Sequence, residues 1–139
     1  SDLLVGELRD LETVGMALTA AETGHLVFAT LHTSGAPNTI NRLIDVFPPE
    51  QQGQIRAQIA ESLKMVITQK LFKKKDGSGR ISAFEVMVCT APVKNLIREN
   101  KIHQIPSVMQ TSQREGMITM EKSIEGLIGT GVISSAEKN

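Results

Sequence analysis

The stretch from Gly24 to Thr33 reads G-H-L-V-F-A-T-L-H-T, and the rest of the chain is interpreted from it. Residues 26–31 form a nearly unbroken apolar run, rich in residues that favour β-structure. Such a run is typical of a strand buried on both faces, as in a parallel sheet. Gly24 marks the chain reversal before it, and His32 and Thr33 follow at its carboxyl end, where open α/β sheets bind ligands.

A shorter apolar run at residues 3–5 precedes this stretch and is followed by Gly6-Glu7. Between the two runs, Asp10 to Thr23 is predicted to form a helix, with the Asp10 carboxylate as its N-cap. About 13 helical residues rise ~20 Å, which matches the length of a strand of about six residues. This helix can therefore return the chain for a second parallel strand. We expect Glu7 and His32 to meet at the edge where both strands end.

Apolar periodicity and turn residues predict the remaining elements. They are helices over residues 36–47, 50–69, 102–113 and 117–128, a helix beginning near Thr90, and extended segments over 70–75 and 80–88. Thr33 and Ser34 are the expected caps of the first helix, and Val66 and Ile67 are expected to face inward from the second. The extended segments flank a Gly-rich turn, which indicates a β-hairpin. The predicted fold class is α/β, with a parallel sheet, crossover helices, a β-hairpin and a helical carboxyl-terminal part.

Composition excludes several classes of protein. The 139 residues suffice for one domain with a core, and the 15 basic side chains balance the 15 acidic ones, which argues against a general nucleic-acid binder. The single cysteine, Cys89, excludes an internal disulfide and suggests a reducing compartment. No apolar run approaches the ~18 residues of a membrane span. Because the chain begins almost inside a predicted strand, we expect a fragment of a longer protein.

Two side chains at the predicted sheet edge could carry chemistry. The Glu7 carboxylate could hold a hydrated Mg²⁺ or orient a water, but it could equally be a polar residue leaving a strand. The His32 imidazole could contact a γ-phosphate, or it could bond a nearby backbone carbonyl. His25 precedes the strand and is expected at its opposite end, as a structural or interface group. No G-x-x-x-x-G-K-[ST] loop occurs in the chain, so the amides that cradle phosphates in P-loop ATPases are not identified here.

Four segments together resemble a known family. Residues 3–13, L-L-V-G-E-L-R-D-L-E-T, resemble the Walker B segment of the secretion-type ATPases, and residues 20–33 resemble their histidine box. Residues 47–52, F-P-P-E-Q-Q, also fit. Residues 91–101, A-P-V-K-N-L-I-R-E-N-K, are similar to the Ala-Ile-Arg-Asn-Leu-Ile-Arg-Glu motif of the type IV pilus retraction ATPases. The resemblance extends over essentially the whole chain.

The resemblance implies roles for individual residues. Glu7 corresponds to the Walker B glutamate, which acts on Mg²⁺ through water, and His32 to the main histidine-box residue, with His25 as its partner. Support of the nucleotide site is implied for Gly6, Arg9, Asp10, His25 and Thr33. The retraction motif corresponds to Val93, Lys94, Asn95, Leu96, Ile97, Arg98 and Glu99. Val93 and Lys94 stand where the family often has Ile and Arg.

The resemblance also implies an architecture and partners. Residues 1–90 correspond to the second half of a RecA-like ATPase core, and residues 91–139 to a helical carboxyl-terminal subdomain. The implied cofactors are ATP and Mg²⁺. The implied assembly is a cytoplasmic homo-hexamer that acts at the inner membrane with a pilus platform protein and disassembles pili, without spanning the membrane or binding nucleic acid.

Two other functions remain open at this point. The chain could be a non-catalytic carboxyl-terminal module that binds motor subunits or an inner-membrane platform protein. It could also belong to a RecA-like ATPase that handles DNA. The neutral charge and the absence of Trp and Tyr disfavour the second alternative.

Overall fold

The chain folds around a parallel β-α-β unit and an antiparallel hairpin, connected and covered by helices. The computed structural model describes residues 2–31 and 33–138. The elements are β1 (Asp2–Glu7), α1 (Leu11–Glu22), β2 (Leu26–Thr30), α2 (Ala36–Asp45), α3 (Pro49–Ser62), β3 (Met65–Lys73), β4 (Arg80–Val88), α4 (Ala91–Arg98), α5 (Ile105–Gln110) and α6 (Met120–Gly129). Short 3-10 turns cover Ile102–Gln104, Gln113–Glu115 and Ser135–Lys138.

The β-α-β unit confirms the prediction from the two apolar runs. β1 and β2 pair in parallel, with Asp2 opposite Leu26 and Glu7 opposite Thr30. The register shifts between Leu4 and Glu7, so the last residues of β1 depart from regular pairing. Since the strands run in the same direction, their carboxyl ends share one edge.

Local side chains and backbone bonds set both ends of α1. Asp10 Oδ1 accepts from the Thr13 amide at 2.9 Å, as expected for the N-cap. At the other end, the Gly24 amide donates to Ala21 O at 3.2 Å and the His25 amide to Ala20 O at 3.1 Å. These two bonds form a Schellman motif, which needs the left-handed conformation that Gly24 adopts at φ 94°. Gly24 thus marks the chain reversal, as predicted.

The expectation that the strand at Leu26 is buried on both faces is wrong for this chain. The Leu26 and Phe28 side chains are 49% and 55% exposed. The reason is that, in the part of the chain that the structure describes, the parallel sheet contains only β1 and β2. A strand in a two-stranded sheet has few neighbours to cover its apolar side chains.

The prediction of a helix over residues 50–69 is wrong for the last third of that range. α3 ends at Ser62, and the following residues form β3, which pairs with β4 along its whole length. Val66 is buried as expected, but Ile67 points away from the core and is 58% exposed. An apolar residue at position 66 fits both a helical and an alternating pattern, so the sequence alone does not distinguish them. The hydrogen-bonded pairing with β4 makes this segment a strand. The second hairpin strand has the predicted bounds, Arg80–Val88.

The carboxyl-terminal helices are confirmed with shorter bounds. The expected helix over residues 102–113 consists of α5 between two 3-10 turns. The expected helix over 117–128 begins only at Met120, because Ile118 forms an antiparallel bridge with Val86 of β4. Thr90 precedes α4, as predicted, with a proline in the first helical positions.

Thr33 and Ser34 do not cap α2, in contrast to the prediction. The N-cap is Gly35, which has no side chain to accept a hydrogen bond. The Ala36 amide instead donates to Glu85 Oε1 of β4 at 2.9 Å. The acceptor therefore comes from a distant strand, which no local pattern in residues 33–36 could indicate.

The buried apolar side chains form two clusters. The larger core cluster contains Val14, Ala36, Ile40, Leu43, Ile44, Phe47, Ile55, Ile59, Ala60, Val66, Met87, Cys89, Val93, Ile97, Ile102, Ile105, Met109 and Met117. The smaller core cluster contains Phe72, Ala83, Ile124 and Ile133. Among the described residues, no helix has the length and apolar character that crossing a membrane requires.

We expect Ile59→Ala to lower the free energy of unfolding by about 2–5 kcal/mol, because Ile59 is 1% exposed and its loss leaves a cavity in the larger core cluster. Ile67→Ala is the matched control, since its side chain already faces solvent. That change should cost about 1 kcal/mol or less, on the scale of β-propensity differences. Chemical denaturation measures both, and equal losses would contradict the strand assignment of β3.

Candidate functional site

The candidate site is the carboxyl edge of the parallel sheet. Glu7 ends β1 opposite Thr30, which ends β2. The Leu8 amide donates to Thr30 O at 2.9 Å, and the Thr30 hydroxyl donates back to Gly6 O. These bonds join the two chain segments just where they leave the sheet. The Glu7 carboxylate and the segment that follows β2 therefore lie at one edge, as the sequence predicted.

An ion pair orients the Glu7 carboxylate. Arg9 Nε lies 3.0 Å from Glu7 Oε2, and the two side chains are 77% and 32% exposed, respectively. An ion pair this exposed contributes little to stability. Its effect is local: it favours one direction of a carboxylate that solvent still reaches.

Asp10 follows Arg9 in the chain, but its carboxylate caps the N-terminus of α1 and does not take part in the ion pair with Glu7. Its hydrogen bond to the Thr13 amide is the main cause that lowers the pKa of Asp10 below its usual value. The ionised carboxylate is also favoured at the positive end of the helix dipole. Of these neighbouring acidic groups, Glu7 is thus the one placed at the strand ends.

His32 lies outside the described residues, so its meeting with Glu7 stays a prediction. The next residue, Thr33, is held in a short hydrogen-bonded chain. Its hydroxyl lies 2.5 Å from the hydroxyl of Thr39, which in turn donates to Gly35 O at 2.9 Å. Because Thr39 is buried in α2, this chain ties the segment after β2 to the first turn of that helix.

The structure does not bring His25 to Glu7. His25 precedes β2, at the end of the sheet opposite to the candidate site. Its Nδ1 lies 3.2 Å from Ala20 O and 3.2 Å from the Thr23 hydroxyl, so it completes the end of α1. A strand of about five residues, ~16 Å long, separates the two positions.

A shallow polar depression begins at the same edge and follows the outer face of α2. Its lining comprises Thr33, Ser34, Asn38, Asn41, Arg42 and Asp45. Asn38 Nδ2 donates to Ser34 Oγ at 2.8 Å. Thr33 was expected at the site from the sequence, whereas Asn38, Asn41, Arg42 and Asp45 were not. Their three- and four-residue spacing, opposite the apolar face of the same helix, is the signal that could have identified them.

The donors at this edge are oxygens, from the Glu7 carboxylate and the Thr33 hydroxyl. Such donors suit Mg²⁺, which commonly keeps several waters and takes only one or two protein carboxylates. The exposure of Glu7 leaves room for a water between carboxylate and metal. These residues therefore fit the outer shell of a hydrated Mg²⁺. They include no run of amides of the kind that encloses phosphates.

The segment that resembles the retraction motif forms α4 and the turn after it. Val93 and Ile97 are fully buried in the larger core cluster, and Leu96 is half-buried against it. Lys94 is half-buried, whereas Asn95, Arg98 and Glu99 are exposed. The segment thus presents one apolar side to the core and one polar side to solvent.

Arg98 connects this helix to α3. Its Nη1 donates to Asn95 Oδ1 at 2.8 Å, and its Nη2 forms an ion pair with Glu61. The hydrogen bond from Arg98, followed by its charge, lowers the pKa of Glu61. Arg98 therefore organises the polar side of α4 and binds it to the neighbouring helix.

Comparisons with known proteins agree with this architecture. The family described as "Type II/IV secretion system protein" matches residues 2–137. The "Twitching motility protein" of Neisseria gonorrhoeae is 54% identical over 132 residues, which are 95% of this chain and 35% of the relative. The "Type IV pilus retractation ATPase PilT" of Pseudomonas aeruginosa is 52% identical over 132 residues, 95% of this chain and 38% of that protein.

A solved structure has the same fold. The crystal structure of the pilus retraction motor PilT with bound ADP superposes with a TM-score of 0.89 at 44% identity, covering 99% of this chain and 38% of that one. The chain thus spans little more than a third of the length of the relatives that it matches.

We expect Arg98→Gln to raise the pKa of Glu61 toward its ordinary value, because it removes the cation that stabilises the ionised carboxylate. Lys101→Gln is the control, since Lys101 Nζ lies 3.9 Å from Glu99 instead. A carboxyl NMR titration measures the pKa of Glu61 in each variant.

The ion pair between Arg98 and Glu61 also determines the direction in which folding stability changes with pH. Because folding lowers the pKa of Glu61, its contribution to stability is present above the unfolded pKa and is lost as pH falls through the folded value. The Arg98→Gln variant should lose most of this dependence, because the hydrogen bond and the charge of Arg98 are its largest causes. An unchanged Glu61 titration in that variant would contradict the ion pair.

Proposed function

The chain belongs to the type II/IV secretion system protein family, and from this premise we propose that it is part of a hexameric, ATP-driven motor that retracts type IV pili. The observation that carries the proposal is the register of β1 with β2, which places Glu7 at the edge where both strands end. The similarity to the pilus retraction proteins over 95% of the chain supports the same function.

Within this motor, residues 1–90 form the second half of a RecA-like core. When bound, Mg²⁺-ATP supplies the γ-phosphate and the cation that neutralises its charge. With Mg²⁺ bound, the Glu7 carboxylate would accept a hydrogen bond from a water of the hydrated cation and would keep that water at the edge. Arg9 orients the carboxylate through their ion pair. Gly6 and Thr33 hold the two chain segments on which this geometry depends, through the bonds to Thr30 and Thr39.

His32 is the proposed group that contacts the γ-phosphate side of the site, and His25 stabilises the other end of β2. A neutral imidazole can donate to or accept from a phosphate or a water at physiological pH, because its ordinary pKa is near neutrality. The hydrogen-bonded chain from Thr33 to Gly35 then connects the position next to His32 with α2.

Residues 91–139 form the part of the motor that delivers the mechanical output. The polar side of α4, with Asn95, Arg98 and Glu99, is accessible for a partner. The proposed partners are neighbouring subunits of the homo-hexamer and a pilus platform protein of the inner membrane, to which the cytoplasmic motor binds without spanning the bilayer.

A non-catalytic interaction module is the second candidate. The exposed polar side of α4, with Asn95, Arg98 and Glu99, is the observation that favours it, because a binding surface needs no nucleotide. In the full-length protein, a G-x-x-x-x-G-K-[ST] loop that precedes Glu7 would support the motor, and its absence there would favour the module. Activity measurements on the full-length protein that contains this sequence separate the two functions. A motor requires Glu7 for turnover, and a binding module does not.

In the full-length protein, we expect Glu7→Gln to abolish ATP hydrolysis and to spare folding, since the amide is nearly isosteric but cannot act as an anion. Glu12→Gln, on the exposed first turn of α1, is the control for a loss of charge near the site. Steady-state phosphate release measures turnover, and circular dichroism measures folding. Normal turnover in the Glu7→Gln protein would remove this residue from its proposed role.

We expect Asn95→Ala to leave ATP turnover near normal and to reduce pilus retraction, because its side chain lies on the exposed side of α4 and not on β1 or β2. Gln110→Ala, at the exposed end of α5, is the control that should affect neither. Retraction is followed by twitching motility or by pulling force. Parallel losses of turnover and retraction would place Asn95 in the catalytic part instead.

A further inference from the structure

Glu85 is the charged residue on the buried face of β4. Side chains alternate along a strand, so Ala83, Glu85 and Met87 share one face. Ala83 belongs to the smaller core cluster and Met87 to the larger one, and both are fully buried. The half-buried Glu85 carboxylate therefore lies between two apolar clusters, where a charged group requires hydrogen-bond partners.

Its partners are the first amides of two helices. Glu85 Oε1 accepts from the Ala36 amide of α2 at 2.9 Å. Glu85 Oε2 accepts from the Met120 amide of α6 at 3.2 Å. The free amides and the dipole make each helix N-terminus partly positive, which favours an anionic acceptor. One carboxylate thus serves as N-terminal acceptor for helices that are far apart in sequence.

On the α2 side, the glycine at position 35 leaves space for the Glu85 carboxylate. Gly35 is the N-cap of α2 and adopts φ 133°, a conformation that favours glycine. A Cβ at Gly35 would lie 3.3 Å from Glu85 Oε1, so a side chain there would crowd the carboxylate. On the α6 side, the Thr119 hydroxyl accepts from the Lys122 amide, which leaves the Met120 amide to Glu85.

On both sides of Glu85, the residues that it contacts make further hydrogen bonds to other parts of the molecule. Toward the candidate site, Gly35 O accepts a hydrogen bond from the Thr39 hydroxyl, and that hydroxyl is also hydrogen-bonded to the hydroxyl of Thr33. Toward the carboxyl-terminal part, the residues beside Glu85 hold the start of α6. Val86 and Ile118 exchange two backbone hydrogen bonds of 2.9 and 3.0 Å, and the Phe84 amide donates to Ser123 Oγ at 3.0 Å.

We propose that Glu85 is a positioning residue that couples the segment after β2 to the start of α6. A carboxylate bonded through both oxygens cannot follow one helix N-terminus without weakening its bond to the other. Order at residues 33–36 and order at residue 120 are therefore linked through one side chain. For the motor, this inference rests on the proposed function: there, the Glu85 contact connects the candidate site at the carboxyl edge of the parallel sheet with the carboxyl-terminal helices.

The test perturbs one end of the chain of bonds and observes the other. Thr39→Val removes the hydroxyl that bonds Gly35 O and the Thr33 hydroxyl and leaves only the Thr39 amide on Gly35 O, while Thr39→Ser keeps the hydroxyl. Amide hydrogen exchange, read residue by residue by NMR in the 139-residue chain, reports the Ala36 and Met120 amides. We expect Thr39→Val to speed exchange at both amides by about threefold or more, and Thr39→Ser to leave both near wild type. The Ile97 amide of α4 is the internal reference for global unfolding.

A second pair of variants removes the coupling residue. In Glu85→Gln, one acceptor oxygen remains, so exchange should rise at only one of the two amides, and adding Thr39→Val should no longer affect Met120. Thr119→Ala perturbs the opposite end, because it removes a cap of α6 and leaves α2 itself unaltered. Exchange should rise at Lys122 and Met120 and, since the linkage is reciprocal, at Ala36 as well, whereas in Glu85→Gln the effect on Ala36 should disappear.

The proposal is overturned if Thr39→Val changes Ala36 without changing Met120, or if its effect on Met120 persists in Glu85→Gln. It is also overturned if both amides follow the Ile97 reference, since that result means general destabilisation. None of these measurements requires nucleotide or turnover. A failure here is therefore distinct from a failure of the Glu7→Gln experiment.

Discussion

The parallel register of β1 with β2 is the constraint on which the candidate site depends. Glu7 is 23 positions from Thr30 in the printed sequence, yet the two residues are opposite each other in the sheet. Crossover helix α1 makes this pairing possible because its two ends are fixed locally, by the Asp10 cap and by the turn at Gly24. A shift of the register would move the Glu7 carboxylate away from the segment that follows β2. The geometry of the edge is thus a consequence of strand pairing more than of any contact within the site.

The second organising feature is the hairpin, which links the helices that follow the site to the carboxyl-terminal part. Alternate side chains of β4 contribute to both core clusters, through Ala83 and Met87. Between them, the Glu85 carboxylate accepts from the amides of Ala36 and Met120. Apolar contact and a pair of charge-assisted hydrogen bonds thus act on the same face of one strand. The apolar contacts supply most of the stability, and the hydrogen bonds define which helix ends meet there.

The polar side of α4 is arranged differently from the sheet edge. Arg98 binds Asn95 within the helix and Glu61 on α3, so this surface is ordered although it is exposed. Exposed ion pairs contribute little free energy, but they restrict the directions of the side chains that a partner contacts. Together with the buried Val93 and Ile97, this gives a helix that is packed on its apolar side and has an accessible polar surface. Such a surface suits the mechanical output proposed for this part of the chain.

Much of the site could be predicted from the sequence because its causes are local. Asp10 caps the helix that begins next to it, and Gly24 adopts the conformation that its position requires. The apolar runs and the length of the helix between them predicted that the ends of β1 and β2 share an edge. The bounds of β4 and the start of α4 also followed from nearby turn residues and from Thr90 with Pro92.

Only the tertiary structure decided features whose partners are distant in sequence. Residues 65–69 satisfy a helical and an extended pattern alike, and they form a strand because β4 is available to pair with them. The apolar run in β2 predicted burial, but burial depends on which neighbours a strand has. The acceptor for the first amide of α2 is Glu85, 49 residues away, and not the adjacent Thr33 or Ser34. Local sequence determines which conformations a segment favours, whereas long-range pairing and burial select among them.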